Sequence, residues 1–272
     1  MRLFASCILF VFTSLWRNRR LILQMTKRDV IGRYRGSLLG LAWSFLTPLI
    51  MLAVYTVMFG GVFKARWNGA GETQLDFALI LFVGLIVHGL FAECVNRAPG
   101  LVLQHASFVK RIVFPLEILP WMVMGAALFH ATVSVSMWIV FAALTGFRIS
   151  PTALFLPMVF VPLVLTTMGL AWFLASVGVY LRDVGHTVGI FTTVLLFLSP
   201  IFYQTGAVPA RFRFIIRLNP LTLIVEQARA VLTAGAMPDF SGLALATAQG
   251  LAVATFGLWW FQKTRRGFAD VL

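Results

Sequence analysis

The stretch RDVIGRYRGSLLGLAWSFLTPLIMLAVYTVMFGGV, residues 28–62, decides the fold class of this chain. It begins with basic side chains and then runs from Ser37 to Val62 without a charge. About 20 apolar residues in a helix cross the ~30 Å hydrocarbon core of a bilayer, so this run predicts a membrane span. Pro48 removes one helix hydrogen bond in mid-span and predicts a kink. Small residues every four positions favour close contact with another helix: Gly32, Gly36, Gly40 and Ser44.

The composition places the whole chain in the same class. Of its 272 residues, 60% are hydrophobic and 11% are charged, and the mean hydropathy is +0.92. Soluble domains carry about 25% charged residues, so they are excluded. We interpret the net charge of +13 as basic loops held on the cytoplasmic side and not as nucleic-acid binding. Cys7 and Cys94 show no metal or redox spacing, and we expect no metal site.

Hydrophobic runs predict an all-α polytopic membrane protein with six transmembrane helices. The runs cover about residues 37–62, 77–96, 116–146, 152–180, 184–203 and 240–262. Pro157 and Pro162 predict that the fourth helix is broken or bent. Residues 3–16 are too short to span and end at basic residues, which predicts an N-terminal interfacial helix.

We expect a single transmembrane domain over residues 1–272. Residues 1–36 form its cytoplasmic interfacial segment, 37–262 its six-span bundle and 263–272 its cytoplasmic tail. Before the last span, the segment 204–239 is too apolar for an ordinary loop, and its helical parts, 209–218 and 220–233, are too short to span. Asn219-Pro220 has the chemistry of a helix start. These patterns predict two short re-entrant or interfacial helices.

The distribution of basic residues predicts the topology. In a six-span arrangement, 15 of the 22 Lys and Arg residues fall on the side of the termini and seven on the other. Both termini are therefore expected in the cytoplasm. Four of the seven lie in the segment 204–239, which suggests a function at the external mouth: Arg211, Arg213, Arg217 and Arg229.

No energy source is visible in the chain itself. It contains no GxxxxGK[ST] phosphate-binding loop. All nine acidic residues fall in loops or near span ends, whereas ion-coupled carriers bury acids at mid-membrane. His88 and His130 are the mid-span ionisable residues, and we assign them hydrogen-bonded packing roles. An energy-supplying partner is implied. The mixed apolar and basic segment Leu103–Phe114 predicts a short amphipathic helix that docks on it, with a solvated connector as the alternative.

Six strings carry a resemblance to a known family. They are Arg28-Asp29…Arg33-Tyr34-Arg35-Gly36-Ser37…Leu39-Gly40…Trp43…Pro48, Phe108-x-Lys110-Arg111-x-x-Phe114-Pro115, Val179-Tyr180-Leu181-Arg182-Asp183-Val184, Ser199-Pro200-Ile201-Phe202-Tyr203, Leu218-Asn219-Pro220-Leu221 and Phe268-Ala269-Asp270-Val271. In order along nearly the whole chain, they resemble the ABC-2 type permeases that export bacterial polysaccharides such as O-antigen and capsule.

The resemblance implies a homodimer in the bacterial inner membrane with a channel along its axis for a lipid-linked glycan. It also implies a separate ATP-binding subunit, which holds the ATP and magnesium, so that this chain is a transport subunit with no cofactor or enzymatic activity of its own. In the family, the loop 97–114 carries the coupling helix that docks on that subunit. The coupling candidates are Leu103, Phe108, Lys110, Arg111 and Phe114.

Three further groups are candidate functional residues. Aromatic side chains stack on sugar rings, although in membrane helices they also face lipid or the core; the channel-lining candidates are Trp43, Tyr55, Trp172, Phe202 and Tyr203. Basic side chains either attract a lipid pyrophosphate from the cytoplasm or anchor the topology; they are Arg28, Arg33 and Arg35. A small-residue stripe in the last span predicts close packing, within or between protomers, at Gly242, Ala246, Gly250 and Ala254.

The sequence thus predicts the membrane subunit of an ATP-driven exporter of lipid-linked polysaccharide. An ABC-2 exporter of teichoic acid or of a small lipophilic compound is the alternative within this class. A secondary transporter is disfavoured because mid-membrane acids are missing. An integral-membrane transferase would need acidic or histidine clusters at one membrane face, and the sequence shows none.

Overall fold

The computed structural model describes residue 13 and residues 15–58, 74–109 and 114–271, which form helices and turns without a strand. The interfacial helix predicted at residues 3–16 therefore lies almost entirely outside the described residues. In chain order the helices are α1 (Arg19–Tyr34), α2 (Trp43–Tyr55), α3 (Gln74–Arg97), α4 (Leu101–Gln104), α5 (Ala106–Val109), α6 (Leu119–Thr145), α7 (Leu156–Tyr180), α8 (Val184–Leu198), α9 (Ala210–Leu218), α10 (Pro220–Leu232), α11 (Phe240–Thr264) and α12 (Phe268–Val271).

Within the described ranges, five segments are long and apolar enough to cross a membrane. They are Gly40–Met58, Leu75–Gln104, Leu116–Thr145, Pro151–Tyr180 and Phe240–Val271. The predicted fifth span contains α8, whose 15 residues extend only about 22 Å at 1.5 Å per residue. The all-helical class is confirmed, but helix length alone does not confirm a count of six spans.

Helices α7 and α11 run parallel along the length of the bundle. At their starts, the rings of Phe155 and Phe240 lie 6.0 Å apart. At their ends, the Tyr180 hydroxyl donates to the Thr264 carbonyl oxygen over 2.9 Å. The chain between them, which includes α8, therefore returns from one end of the bundle to the other. We call the end near Tyr180 the terminal end, and the end near Phe155 the opposite end.

Glycines allow α7 and α11 to pack backbone against backbone. A Cβ added at Gly257 would overlap the carbonyl oxygen of Gly169, and one added at Gly169 would overlap the Val253 backbone. Gly250 lies in the same contact, where a Cβ would come 3.0 Å from the Pro162 carbonyl oxygen. Such close approach is characteristic of helix pairs in membranes.

The predicted stripe of the last span is only partly in this contact. Gly250 and Ala254 face α7 within the protomer and are buried. Gly242 instead lies in the first turn of α11, where its backbone N–H donates to the capping side chain of Asp239 over 3.0 Å. Ala246 is half-buried. Gly257 and Gly169 make the closest approach, and the four-residue pattern did not include them.

The first predicted span begins later than the sequence indicated. Helix α1 ends at Tyr34, a turn follows, and the membrane segment starts at Gly40. Gly36 and Gly40 take φ values of 88° and 48°, which glycine adopts at little cost. The prediction of a continuous small-residue packing stripe through Gly32, Gly36, Gly40 and Ser44 is therefore wrong, because its members do not share one helix. Pro48 lies inside α2 as predicted.

The two short helices before the last span form where the sequence predicted helix, as α9 and α10. The Asn219 side chain caps α10 by accepting a hydrogen bond from the Leu221 N–H over 2.9 Å, which confirms the predicted helix start. Their re-entry into the membrane stays a prediction. The sequence predicted that the fourth span is broken or bent, and the structure shows that its helix, α7, is unbroken. Pro157 lies in the first turn of α7, where proline is tolerated, and the helix continues through Pro162.

We expect Gly257→Ala to destabilise the bundle. The added methyl group forces α7 and α11 apart, and overpacking of this kind costs about 1–3 kcal/mol. For a chain of this size that corresponds to a fall of roughly 2–10 °C in apparent Tm, measured by size-exclusion chromatography of the heated protein in detergent. Gly189→Ala in α8 is the control because its Cβ would meet no atom within 4 Å. Equal Tm values for the two variants would contradict the close contact.

Candidate functional site

An ion pair joins the N-terminal helix to the most buried membrane helix near the terminal end. The Arg97 guanidinium, in the last turn of α3, donates to both carboxylate oxygens of Asp29 in α1, over 2.8 and 2.6 Å. Two parallel hydrogen bonds of this kind are strong and directional. They fix α1 against the end of α3.

A second set of contacts extends this ion pair to α6. Glu93 lies one turn before Arg97 and accepts a hydrogen bond from Arg33 over 2.6 Å. Its other oxygen lies 3.0 Å from Nδ1 of His130 in α6. The Tyr34 hydroxyl lies 3.2 Å from Nε2 of the same imidazole. We call these residues, with Asp29 and Arg97, the polar junction.

The polar junction gives His130 specific polar partners. The sequence predicts a hydrogen-bonded packing role for this histidine, and in the structure it is surrounded by a carboxylate, a guanidinium and a phenol. Burial raises the pKa of the Tyr34 hydroxyl. His88, the other mid-span histidine, binds the Thr192 carbonyl oxygen over 3.0 Å and packs α3 against α8.

Two of the three arginines proposed to attract a lipid pyrophosphate share a cavity. Arg28 and Arg33 line a space of about 460 Å³ beside the polar junction, together with Arg97 and His105. The lining also contains the Asp29 carboxylate, which Arg97 already engages. Arg35 follows the end of α1 and is not among the lining residues. We call this space the arginine cavity.

The predicted coupling segment lies next to the arginine cavity. Its described residues contain the end of α4 and the whole of α5, two single-turn helices that are separated by His105. The rings of Phe108 and Phe114 stack with centroids 4.4 Å apart, and both pack against the core. Leu103 is half-buried. Lys110 and Arg111 lie outside the described residues.

The channel-lining candidates are not brought together within the protomer. The Trp43 indole donates to the Ser37 hydroxyl over 2.9 Å at the start of α2. Tyr55 lines a separate, mainly apolar cavity between α2, α3 and α6. Phe202 stacks on Phe197 at the opposite end, and Tyr203 lines a cavity there.

Trp172 does not fit a channel-lining role. It is 1% exposed, and its indole N–H donates to the Glu117 carbonyl oxygen over 2.9 Å. The Glu117 carboxylate in turn pairs with Arg265 over 3.0 Å, and this pair joins the start of the third span to the end of the last. Trp172 is therefore a packing residue of the terminal end.

Arg229 is a buried cation at the opposite end. It is 6% exposed, and its guanidinium donates to the carbonyl oxygens of Ile80 over 3.0 Å, of Ile201 over 2.6 Å, and of Pro200. The chain leaves helical geometry at Ser199, so the carbonyl groups that follow lack helical partners. Burial lowers the pKa of Arg229 to about 10, so it stays charged at neutral pH. The sequence predicts Arg229 only as one of four external cations.

These features define a helical membrane protein with buried charged contacts at both ends and a basic cavity at the terminal end. A family model described as "ABC-2 type transporter" matches residues 20–233. The chain therefore belongs to the ABC-2 type transporter family and is a multi-pass membrane transport protein. Membership of this family implies an ATP-binding partner.

Curated relatives cover nearly the whole chain at modest identity. The chain is 25% identical over 264 residues to the O-antigen export system permease protein RfbA of Myxococcus xanthus, covering 94% of this chain and 97% of that protein. It is 24% identical over 253 residues to a Klebsiella pneumoniae protein of the same name, covering 93% and 95%. It is 24% identical over 225 residues to the capsule polysaccharide export inner-membrane protein CtrC of Neisseria meningitidis, covering 80% and 82%.

We expect the Asp29–Arg97 pair to show strong thermodynamic coupling. Asp29→Asn and Arg97→Gln each leave a partly buried charge without its main partner, and hydrogen bonds to charged groups contribute about 1.5–3 kcal/mol. The double variant should cost less than the sum of the single variants by roughly 1–2 kcal/mol, as measured by thermal unfolding in detergent. Lys27→Gln, an exposed neighbour in α1, is the control. Strictly additive losses would contradict the coupling.

Proposed function

We propose that this chain is the membrane subunit of an ATP-driven exporter that moves lipid-linked polysaccharide across the bacterial inner membrane. The observation that carries the proposal is the match, over 93–94% of the chain, to permeases named for O-antigen export. The similarity to a capsule export protein supports the same class of substrate. ATP hydrolysis takes place in a separate subunit.

In the proposed topology the chain crosses the membrane six times, and both termini lie in the cytoplasm. The parallel course of α7 and α11 supports this number, since the chain must return to the opposite end between Tyr180 and Phe240. Helix α8 carries most of that return. Because it is short for a bilayer, the turns after Ser199 complete the crossing. The terminal end then faces the cytoplasm, in agreement with the excess of basic residues there.

A homodimer supplies the channel in this proposal. Within the protomer, α8 buries Val188, Thr192 and Leu195 and leaves large apolar side chains of its other face exposed. Much of α2 is exposed in the same way. These faces are free to contact a second copy, and a channel between two copies would not require the aromatic candidates to converge within one protomer.

The loop after α3 transmits the work of the ATP-binding subunit in this proposal. Leu101 and Val102 are buried directly after the end of α3, and the stacked Phe108 and Phe114 hold the two sides of the loop together. A force on residues 103–114 therefore reaches α3, which carries Glu93 and Arg97. The polar junction passes the movement on to α1 and α6.

The arginine cavity would hold the pyrophosphate of the lipid carrier. Arg28 and Arg33 provide donors that match phosphate oxygens. The cavity adjoins both the N-terminal helix and the coupling segment, so occupation by a lipid headgroup and docking of the ATP-binding subunit would act on the same residues. Arg33 already donates a hydrogen bond to Glu93, so Arg28 is the arginine best suited to bind a ligand.

Loss of the gene should leave lipid-linked polysaccharide inside the cell, and the wild-type gene should restore export. Lys110→Glu/Arg111→Glu should neither restore export nor retain the ATP-binding subunit in a pull-down, because two charges on the coupling segment are reversed. Lys64→Glu/Arg66→Glu, the same change on the predicted external side, is the matched control and should do both.

Transport by the purified chain in the absence of its partner tests the requirement for a separate ATP-binding subunit. Reconstituted alone in liposomes, the chain should perform no uphill transport. Sustained accumulation driven by an ion gradient would show a secondary transporter.

Removal of one cavity arginine should weaken the response to a lipid pyrophosphate. In the reconstituted complex, Arg28→Gln should raise the concentration of polyprenyl pyrophosphate that half-stimulates ATP hydrolysis by about tenfold, as expected for one lost charge-assisted hydrogen bond. Arg35→Gln, which removes the same charge outside the cavity, should change it less than about twofold. Equal effects of the two variants would indicate general attraction to anionic lipid and contradict a site.

A further inference from the structure

A polar cavity of about 720 Å³ lies at the opposite end of the bundle, separate from the arginine cavity. Four parts of the chain form it: the start of α3, the turn between α6 and α7, the segment after α8 and the second half of α10. Cavities that bind small ligands have volumes of about 300–1,000 Å³. The space is therefore large enough for a short oligosaccharide. We call it the distal cavity.

The floor of the distal cavity is held in place by Arg229. Its guanidinium joins the Ile80 carbonyl of α3 to the carbonyls of Pro200 and Ile201. Gly84, one turn further along α3, leaves room for it, since a Cβ there would lie 3.0 Å from the Arg229 Nη2 atom. Three elements thus share one buried cation, so the lining groups keep a fixed spacing.

The lining combines hydrogen-bond donors, acceptors and aromatic rings. Glu226 accepts a hydrogen bond from the Thr205 hydroxyl, and the Tyr203 hydroxyl donates to the Leu198 carbonyl oxygen over 2.9 Å. The rings of Tyr203 and Phe147 are partly exposed. Besides Arg229, the other polar side chains that line the space are Asp76, Arg148, Gln204 and Thr233.

The balance of charge favours an uncharged ligand with many hydroxyl groups. Two carboxylates and two guanidinium groups line the space, and Arg229 already donates to backbone carbonyls. A phosphate would meet Asp76 and Glu226, and a metal cation would meet Arg148. Sugar hydroxyls both donate and accept hydrogen bonds, which matches a mixed lining. Aromatic rings provide flat apolar surfaces for the faces of sugar rings.

We propose that the distal cavity is a binding site for a neutral segment of the exported glycan. This inference rests on the proposed function. It adds a sugar-binding element to each protomer, at the end of the bundle where the glycan would leave the membrane. The site would hold a few sugar units by hydrogen bonds and stacking, and so oppose backward movement between transport steps.

The test uses the full chain together with its ATP-binding subunit in lipid nanodiscs. The probe is the surface polysaccharide of the strain that carries the gene, released from its lipid by mild acid, and binding is measured by microscale thermophoresis. Ala230→Trp places a large side chain in the cavity. Ala236→Trp makes the same change at an exposed position of the same end, outside the lining, and is the matched control.

We expect Ala230→Trp to weaken binding by at least about tenfold and Ala236→Trp to change it less than about twofold. Should Ala230→Trp fail to fold, Arg148→Ala removes an exposed lining side chain and should weaken binding by about three- to tenfold. Binding that is absent in wild type, or equal in wild type and all cavity variants, would overturn the proposal.

Export in cells separates this inference from the proposed function. If deletion of the gene leaves surface polysaccharide unchanged, the proposed function fails. If deletion abolishes surface polysaccharide but the cavity variants bind the released glycan as well as wild type does, only the distal site fails.

Discussion

Buried charges in an apolar bundle need partners inside the protein, and this constraint governs both ends of the fold. At the terminal end, Arg97 of the polar junction pairs with Asp29 and with Glu93, and Glu117 pairs with Arg265. At the opposite end, Arg229 binds backbone carbonyls where α8 stops. Lipid provides no substitute for any of these partners. Apart from Glu93–Arg97 within α3, these contacts join elements distant in sequence, so the polar residues contribute to how the apolar helices assemble.

The position of the polar junction connects the packing of three helices to the predicted coupling segment. Glu93 and Arg97 occupy the last two turns of α3, and the predicted coupling segment begins six residues later, at Leu103. The N-terminal helix, which has little apolar surface buried, is held mainly by its contacts with α3 and α6. A displacement at the loop would therefore change the fit of three helices at once. Charge-assisted bonds suit this role, because they are directional and can re-form after movement.

Sequence patterns predicted the features that depend on residues close together in the chain. Hydrophobic runs gave the helices, and Asn219-Pro220 gave the start of α10, since both follow from residues close in the chain. The polar junction could not be predicted in this way, because 97 positions separate Arg33 from His130. The stripe from Gly32 to Ser44 was misleading for a related reason: four-residue spacing has meaning only on a continuous helix, and the chain turns at Gly36.

Arg229 shows how a buried residue alters an argument from composition. The positive-inside rule counts cations in loops near the membrane, and Arg229 was counted among seven on the predicted external side. Its guanidinium is buried and donates hydrogen bonds to the backbone carbonyl groups that follow Ser199. Arg229 therefore does not act as a loop charge. Without it, the external count falls to six against 15, and the case for cytoplasmic termini becomes stronger. A cation that seemed an exception to the topology is explained by the unpaired backbone that it satisfies.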